Sequence, residues 1–243
     1  ELGNIYTRIM NPTTAVLEER ITQLEGGLAS VAVSSGQAAS AFAIQNLCQT
    51  GDNIVSSTDL YGGTWNQFEN TFKKLGIEVR FADPKDPMSF VKLSDNKTRA
   101  FYGETLPKPK LNVLPIEEIA SLGKELGIPL IVDNTAAPIT CKPIKYGAAI
   151  VIHSLTKWIG GHGTSIGGII VDGGNFDWTK KPERHPNFNQ PEPSYWNWVL
   201  GKVVPSVLGA NITFAVRLRF VLLRDLGSAL SPTNAFNFIQ GLE

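Results

Sequence analysis

Residues Ala148 to Gly163 read AAIVIHSLTKWIGGHG. An apolar, β-branched run ends in two hydroxyl side chains and a lysine, namely Ser154, Thr156 and Lys157, and glycines follow at once. A short continuous apolar run of this kind is typical of a strand covered on both faces. The segment therefore predicts a buried strand whose end presents an amine beside two hydroxyls.

The side chains at this strand end suit one kind of chemistry. Hydroxyls can bind an anion, and a lysine amine becomes a nucleophile when partial burial disfavours its charged form. A pyridoxal phosphate (PLP) site needs both, because the cofactor's aldehyde bonds to lysine and its phosphate is held by polar groups. A lone lysine after a strand is usually only a solvated residue, so the prediction depends on the other strand ends.

Similar apolar runs recur along the chain and alternate with helical patterns. The strand candidates are Ser30–Ser34, Asn53–Ser56, Glu78–Ala82, Thr98–Gly103, Pro129–Asp133, Ala149–His153 and Gly168–Asp172. The helix candidates are a helix from Asn11 as N-cap to Gly26, then Gln37–Leu47, Thr64–Leu75 and Pro115–Leu126. The alternation predicts an α/β fold: a mainly parallel seven-stranded sheet with helices on both faces. Ligand sites of such sheets lie outside the carboxyl ends of the strands.

Three other strand ends carry side chains that complete a PLP site. Ser35, Gly36 and Gln37 form a turn into a helix, where backbone N–H groups favour a phosphate. Tyr61 lies on a glycine-rich loop and can stack on a flat ring, and Asp133 can keep a pyridine nitrogen protonated. Each has an ordinary alternative: a simple βα turn, a packing tyrosine, and a helix cap or metal ligand. Their common position at strand ends favours the PLP site.

The composition of the chain argues against several other classes of function. The 243 residues include 22 Lys plus Arg and 22 Asp plus Glu, so no basic surface indicates nucleic acid. No apolar run is long enough for a membrane span, and Cys48 and Cys141 lack metal-type spacing, so no metal is expected. The two cysteines are predicted to be free thiols, and the protein to be soluble and cytoplasmic.

The pattern is less regular beyond the last strand candidate. The stretch Asp177–Trp198 is rich in Pro, Asn and Trp and predicts a long surface loop that contacts a partner. Arg217–Leu226 has helical character. His153 and His162, which flank Lys157, are predicted to be structural hydrogen-bonding residues rather than catalysts.

At these residues the chain resembles the Cys/Met-metabolism family of PLP enzymes, which has the aspartate-aminotransferase fold (type I), and within it the O-acetylhomoserine sulfhydrylases. The resemblance covers nearly the whole chain. The matching stretches are Asn4–Thr13, Ser34–Ala39, Tyr61–Thr64, Val132–Thr135, Ser154–Lys157, Gly160–Thr164 and Gly167–Gly174.

The resemblance implies roles for individual residues. Lys157 would bond to the cofactor's aldehyde carbon and later move protons, and Tyr61, the other catalytic candidate, would stack on the ring. Asp133 would pair with the pyridine nitrogen. The cofactor's phosphate would be held by hydroxyls and amides of Ser35, Gly36, Gln37, Ser154 and Thr156.

The resemblance also implies an assembly and a domain organisation. Tyr6 and Arg8 resemble residues that family members donate to the neighbouring subunit's phosphate, so a homodimer or homotetramer is expected. Residues 1–243 would form the PLP-binding large domain, truncated at both ends relative to the family. The small C-terminal domain, with the arginine that binds the substrate's α-carboxylate, would be absent.

The implied reaction is a γ-replacement on a small amino acid in methionine biosynthesis. O-acetylhomoserine would lose acetate from Cγ, and sulfide would add there to give homocysteine. Two alternatives stay open: cystathionine γ-synthase or γ-lyase chemistry on the same cofactor residues, and a catalytically silent homologue that acts as a binding partner. The silent homologue is suggested by Lys108, where family members often have Asn. It is also suggested by Trp196 and Asn197, where His-Gly is expected.

Overall fold

The computed structural model describes residues 3–243, and seven strands in this part of the chain form one sheet. They are β1 Ala29–Val33, β2 Asn53–Ser57, β3 Glu78–Ala82, β4 Thr98–Glu104, β5 Leu130–Asp133, β6 Ile150–Ser154 and β7 Gly168–Asp172. The order is β1-β7-β6-β5-β4-β2-β3, and β7 alone runs antiparallel to its neighbours β1 and β6. Every predicted strand is present, which confirms the mainly parallel seven-stranded sheet.

Helices connect the strands. They are α1 Pro12–Glu25, α2 Gly36–Gln45, α3 Gly62–Asn66, α4 Phe72–Lys74, α5 Met88–Lys92, α6 Ile116–Leu126, α7 Pro186–Asn189, α8 Leu200–Leu208, α9 Thr213–Arg217, α10 Arg224–Leu226 and α11 Pro232–Gly241. The π-helical segments Gln67–Thr71 and Leu218–Leu223 join α3 to α4 and α9 to α10, and Pro143–Tyr146 and Pro193–Tyr195 are 3-10 turns. The predicted helices therefore all form, within a few residues of their expected bounds.

The two ends of α1 show why the local sequence alone predicts the bounds of this helix. The Asn11 side chain accepts hydrogen bonds from the backbone N–H of Thr13 at 3.0 Å and of Thr14 at 3.4 Å, and Pro12 occupies the first helical position. Gly26 ends the helix with a left-handed φ of 74°. Both are standard helix-end signals, and both act within one turn of chain.

Two apolar layers cover the two faces of the sheet. Alternate residues of one strand point to opposite faces, so Ile150 and Ile152 belong to one buried cluster and Val151 to the other. On the side of Val151 lies α1, which contributes Leu17 and Ile21. With both faces covered, the carboxyl ends of β2, β4, β5 and β6 form an edge where polar side chains can meet.

The surface loop predicted at Asp177–Trp198 is wrong in part. Trp178, His185 and Phe188 are buried, and the first and last of these three pack on the core cluster that includes Phe214. The aromatic side chains here bury their area against the sheet layer instead of facing solvent. The exposed residues of the segment lie mainly in the stretches 179–183 and 190–198, with Trp196 at 73% exposed.

No single helix among residues 3–243 has the length and apolar character that a membrane crossing needs. The helices Leu200–Leu208 and Thr213–Leu226 reach it only when taken together, and they are bent by 110° at their junction. Leu200, Phe214 and Leu218 of this pair are buried in the protein itself.

Candidate active site

A cavity of about 590 Å³ lies at the carboxyl ends of the parallel strands. Its lining brings together residues from the ends of β1, β2, β4, β5 and β6, as expected for an open α/β sheet. Eight of the ten predicted site residues line it: Ser35, Gly36, Gln37, Tyr61, Asp133, Ser154, Thr156 and Lys157.

The turn between β1 and α2 is built to bring backbone amides into this cavity. A Cβ on Gly36 would lie 2.6 Å from Ser154 Cβ, so only glycine lets the turn approach the end of β6. The Ser35 hydroxyl accepts from the Ala38 N–H at 3.1 Å and caps α2. The first-turn amides of Gly36 and Gln37 have no acceptor within the helix and can bind an anion.

The segment after β6 presents Lys157 on a turn. Its backbone N–H donates to the Ser154 carbonyl at 3.2 Å, while Leu155 is fully buried. The lysine residue is exposed, so the partial burial predicted from sequence is wrong for this chain: the turn lifts it above the end of the strand. The Thr156 hydroxyl accepts from the Gly167 N–H at 3.1 Å and donates to the Gly167 carbonyl at 3.3 Å, which holds the glycine-rich segment beside the cavity.

Two carboxyl groups stand side by side in the cavity. Glu104 and Asp133 are paired in the register of β4 and β5, and both line the cavity. Burial, and then the charge of Asp133, raises the pKa of Glu104 to about 8. Burial also raises the pKa of Asp133, but two hydrogen bonds from Thr135 and the positive charge of His153 oppose that rise. We infer that Glu104 holds the proton and Asp133 is the one that ionises first.

Glu104 was missed by the sequence reasoning, although a signal existed. It ends a buried run in the same way as Asp133 ends the next one. Its Oε1 accepts a hydrogen bond from the Tyr61 backbone N–H at 2.8 Å. The Tyr61 ring lies against Gly63, where a Cβ would stand 2.5 Å from Cε1, and the residue is 55% exposed at the mouth of the cavity. Glu104 therefore fixes the loop that carries the tyrosine.

The remaining predicted residues lie in different places. Tyr6 and Arg8 do not line the cavity; the Arg8 guanidinium lies 5.2 Å from the centre of the Tyr6 ring, on the exposed segment before α1. Lys108 lines the cavity, whereas Trp196 packs with Tyr195 and Trp198 outside it. Of the two departures from the family pattern, only Lys108 is positioned to affect chemistry directly.

The two histidines are hydrogen-bonded as predicted. His153 Nε2 lies 2.6 Å from Glu25 Oε1, in the interior, and His162 Nδ1 lies 2.8 Å from the Gly160 carbonyl oxygen at the surface. Neither lines the cavity. The two cysteines are free thiols, also as predicted.

Replacing Glu104 by Gln is expected to make the stability of the cofactor-free protein less sensitive to rising pH. The folded-state pKa of Glu104 is about 8, above its ordinary 4.5, so its protonation stabilises the fold below about pH 4.5 and this contribution is lost as the pH rises through 8. Gln keeps the oxygen that accepts from Tyr61 but cannot ionise. The free energy of unfolding at about pH 9 should rise by roughly 1–3 kcal/mol over wild type.

Urea unfolding at about pH 5 and about pH 9 measures this difference. Some pH dependence will remain, because burial also raises the pKa of Asp172, to about 7. Asp86→Asn, which removes an exposed carboxylate paired with Lys92, is the control and should behave as wild type. A Glu104→Gln protein that loses stability with pH as steeply as wild type would contradict the assignment.

Comparison with known proteins identifies the family. The family model for Cys/Met metabolism PLP-dependent enzymes matches residues 1–243. The chain belongs to this family. PLP is therefore the cofactor of the family to which this chain belongs, and the sequence-based recognition is confirmed.

Relatives within the Cys/Met metabolism family support a narrower comparison. An O-acetyl-L-homoserine sulfhydrylase of Leptospira meyeri is 53% identical over 100% of this chain and 55% of its own length. A homocysteine/cysteine synthase of Saccharomyces cerevisiae is 51% identical over 99% of this chain and 54% of its own length. The chain thus spans about half the length of these relatives.

Solved structures agree on the fold. A Campylobacter jejuni chain described as an O-acetylhomoserine (thiol)-lyase superposes with a TM-score of 0.93 at 38% identity, over 100% of this chain and 58% of its own. That structure contains N'-pyridoxyl-lysine-5'-monophosphate, a PLP group joined to a lysine. The O-acetylhomoserine sulfhydrylase of Wolinella succinogenes gives a TM-score of 0.81 at 33% identity, over 96% of this chain and 62% of its own.

The residues of the cavity fit PLP. The close approach of Gly36 to Ser154 leaves amides and a hydroxyl on one side, which suit a phosphate. The half-buried carboxyl of Asp133 suits a protonated ring nitrogen, because a nearby positive charge lowers the cost of ionising it. Lys157 lines the same cavity and supplies an amine.

Proposed function

We propose that residues 1–243 are the PLP-binding large domain of an enzyme that replaces the γ-substituent of O-acetylhomoserine. Sulfide would be the incoming group, and homocysteine and acetate the products. The observation that carries the proposal is one cavity that combines Lys157, the Asp133 carboxyl and the amides of Gly36 and Gln37. The names of the relatives, which are about half identical to this chain, indicate the substrate.

The residues would divide the binding of the cofactor among them. The amides of Gly36 and Gln37 and the hydroxyl of Ser154 would hold the phosphate. Asp133 would keep the ring nitrogen protonated, and the bound cofactor then supplies an electron sink for charge that develops on the substrate's carbon atoms. Tyr61 would cover the ring from the mouth of the cavity, on a loop that Glu104 holds.

Lys157 would also move protons. Its exposed position on a turn allows the amine to reach a substrate that enters from the mouth of the cavity. In the proposed reaction the amine takes one proton from the substrate's Cα and one from Cβ, and acetate leaves Cγ with its bonding electrons. The sulfur of hydrosulfide then bonds to Cγ, and the two protons return to Cβ and Cα. An amine that donates and accepts protons at these positions acts as a general acid and base.

Two other functions compete with this one. Cystathionine chemistry would use the same cofactor residues with a different sulfur compound. A silent homologue would keep the fold and lose turnover, and Lys108 is the observation that favours it, because it adds a second amine to the cavity.

Acetate release from O-acetylhomoserine tests the proposal. With sulfide as acceptor, we expect release at least about ten-fold faster than with cysteine at equal concentration. Faster release with cysteine would instead favour cystathionine chemistry over the proposed reaction with sulfide. A protein that binds PLP but releases no acetate with either acceptor would support the silent homologue.

Assembly and location remain proposals. We propose that Tyr6 and Arg8 reach the neighbouring subunit's phosphate in a homodimer or homotetramer, which is consistent with their exposed place before α1. Arg8→Ala should then weaken PLP binding although Arg8 does not line this subunit's cavity. A cytoplasmic location is likewise proposed, and cell fractionation would test it.

A further inference from the structure

A buried polar cluster lies on the α1 side of the strand ends that line the cavity. Glu25, the last residue of α1, directs its Oε1 to two strand ends. His153 Nε2 of β6 lies 2.6 Å from this oxygen, and the Asn134 side chain after β5 donates to it at 3.0 Å. All three residues are at most 3% exposed.

The cluster extends to a third strand. The Thr105 hydroxyl, directly after β4, donates to Asn134 Oδ1 at 2.8 Å. The Asn134 amide also donates to the Cys141 carbonyl at 2.9 Å. Glu25, His153, Asn134 and Thr105, named here the Glu25 cluster, therefore tie the ends of β4, β5 and β6 to one helix.

Each strand-borne member of the Glu25 cluster is the chain neighbour of a cavity residue. Thr105 follows Glu104, Asn134 follows Asp133, and His153 precedes Ser154. Successive side chains of a strand point to opposite faces, so one residue of each pair serves the cavity and the other the cluster. A shift of any strand end in the cluster thus moves a cavity residue.

Burying the polar groups of the Glu25 cluster costs more free energy than burying the apolar side chains around it. A buried carboxylate loses hydration that only close partners replace, and Glu25 Oε2 and His153 Nδ1 find no hydrogen-bond partner among the described residues. Leu17 and Ile21 already attach α1 to the sheet through apolar contacts. Attachment of the helix alone does not explain a buried acid at this place.

We propose that Glu25 is a positioning residue that holds Glu104, Asp133 and Ser154 in their relative positions across the cavity. The inference deepens the proposed function, because these residues would face the cofactor and substrate. It stands on the hydrogen bonds of the Glu25 cluster in the free protein, so it can be tested without the cofactor.

Hydrogen exchange of the cofactor-free protein provides that test. Three amides report on the strand ends: Thr105 N–H, which donates to Asp133 O, Asn134 N–H, which donates to Ile152 O, and Ser154 N–H, which donates to Thr135 Oγ1. In Glu25→Leu, which removes both acceptor oxygens, these amides should exchange at least about ten-fold faster. Glu25→Gln retains one acceptor and should fall between this variant and wild type.

Glu18→Leu is the matched control. Glu18 is also a buried acid of α1, but it pairs with Arg219 and accepts from the Ala32 N–H of β1. This control should lower the melting temperature while leaving the three reporter amides unchanged. If Glu25→Leu does not fold, Glu25→Gln is compared with Glu18→Gln in the same way.

Binding of PLP itself provides the second readout. The Kd for PLP should rise about ten-fold in Glu25→Leu and stay within about two-fold of wild type in Glu18→Leu. Reporter amides that exchange no faster in the Glu25 variant than in the Glu18 variant would overturn the positioning role. A wild-type protein that binds no PLP would instead overturn the proposed function and leave the exchange result to decide the role of Glu25.

Discussion

Lys157→Ala is expected to abolish covalent attachment of PLP and to lower acetate release by at least about 10³-fold. The variant removes the amine that lines the same cavity as Asp133 and the turn of Gly36 and Gln37, which we propose to bind the phosphate. Non-covalent binding through the amides of Gly36 and Gln37 should survive, so the cofactor remains weakly bound. The visible absorption band of the loaded protein and the acetate assay measure the two effects.

Borohydride reduction followed by peptide mapping locates the attachment directly. In wild type the reduced cofactor should be found on Lys157, and in the variant no lysine should carry it. Lys145→Ala, an exposed lysine before β6 at the opposite end of the strand, is the control and should retain the label. A label on Lys108, the other lysine of the cavity lining, would contradict the assignment.

Asp133→Asn is expected to lower kcat by about 10²–10³-fold while the protein remains folded. The neutral amide cannot balance a protonated ring nitrogen, so the electron sink weakens. Replacing this half-buried acid with an amide of the same shape removes a group whose pKa is raised by loss of hydration, so folding should not suffer. Steady-state kinetics with sulfide and the unfolding free energy measure the two outcomes.

Two further variants test whether the loss of kcat is specific to Asp133. Asp177→Asn removes an exposed carboxylate that accepts from Thr179, and kcat should stay as in wild type. Glu104→Gln keeps the acceptor for Tyr61 and should cost less activity than Asp133→Asn, because Glu104 is inferred to be the protonated member of the pair. If Asp133→Asn kept the wild-type kcat, or if Glu104→Gln lost more, the roles of the two carboxyls would be reversed.

Much of this site was predictable because its signals are local. The run before Ser154 identifies a buried strand, and the turn at Ser35 to Gln37 identifies a helix start beside it. Since parallel strands end at one edge, side chains at strand ends were expected to meet there, and the cavity contains them. The wrong assignment at Asp177–Trp198 has the opposite cause: Pro and Asn suggested a loop, but burial of Trp178 and Phe188 depends on core residues distant in sequence.

By itself, the sequence determined the strands and helices, the family and the chemistry presented at the strand ends. These follow from apolar periodicity, helix caps and side-chain type, which act over a few residues. Only the tertiary structure decided that Glu104 stands beside Asp133, that Lys157 is exposed, and that Glu25 ties three strand ends from the α1 side. The physical reason is that the register of parallel strands, and the helix that covers them, are set by contacts between residues far apart in the chain.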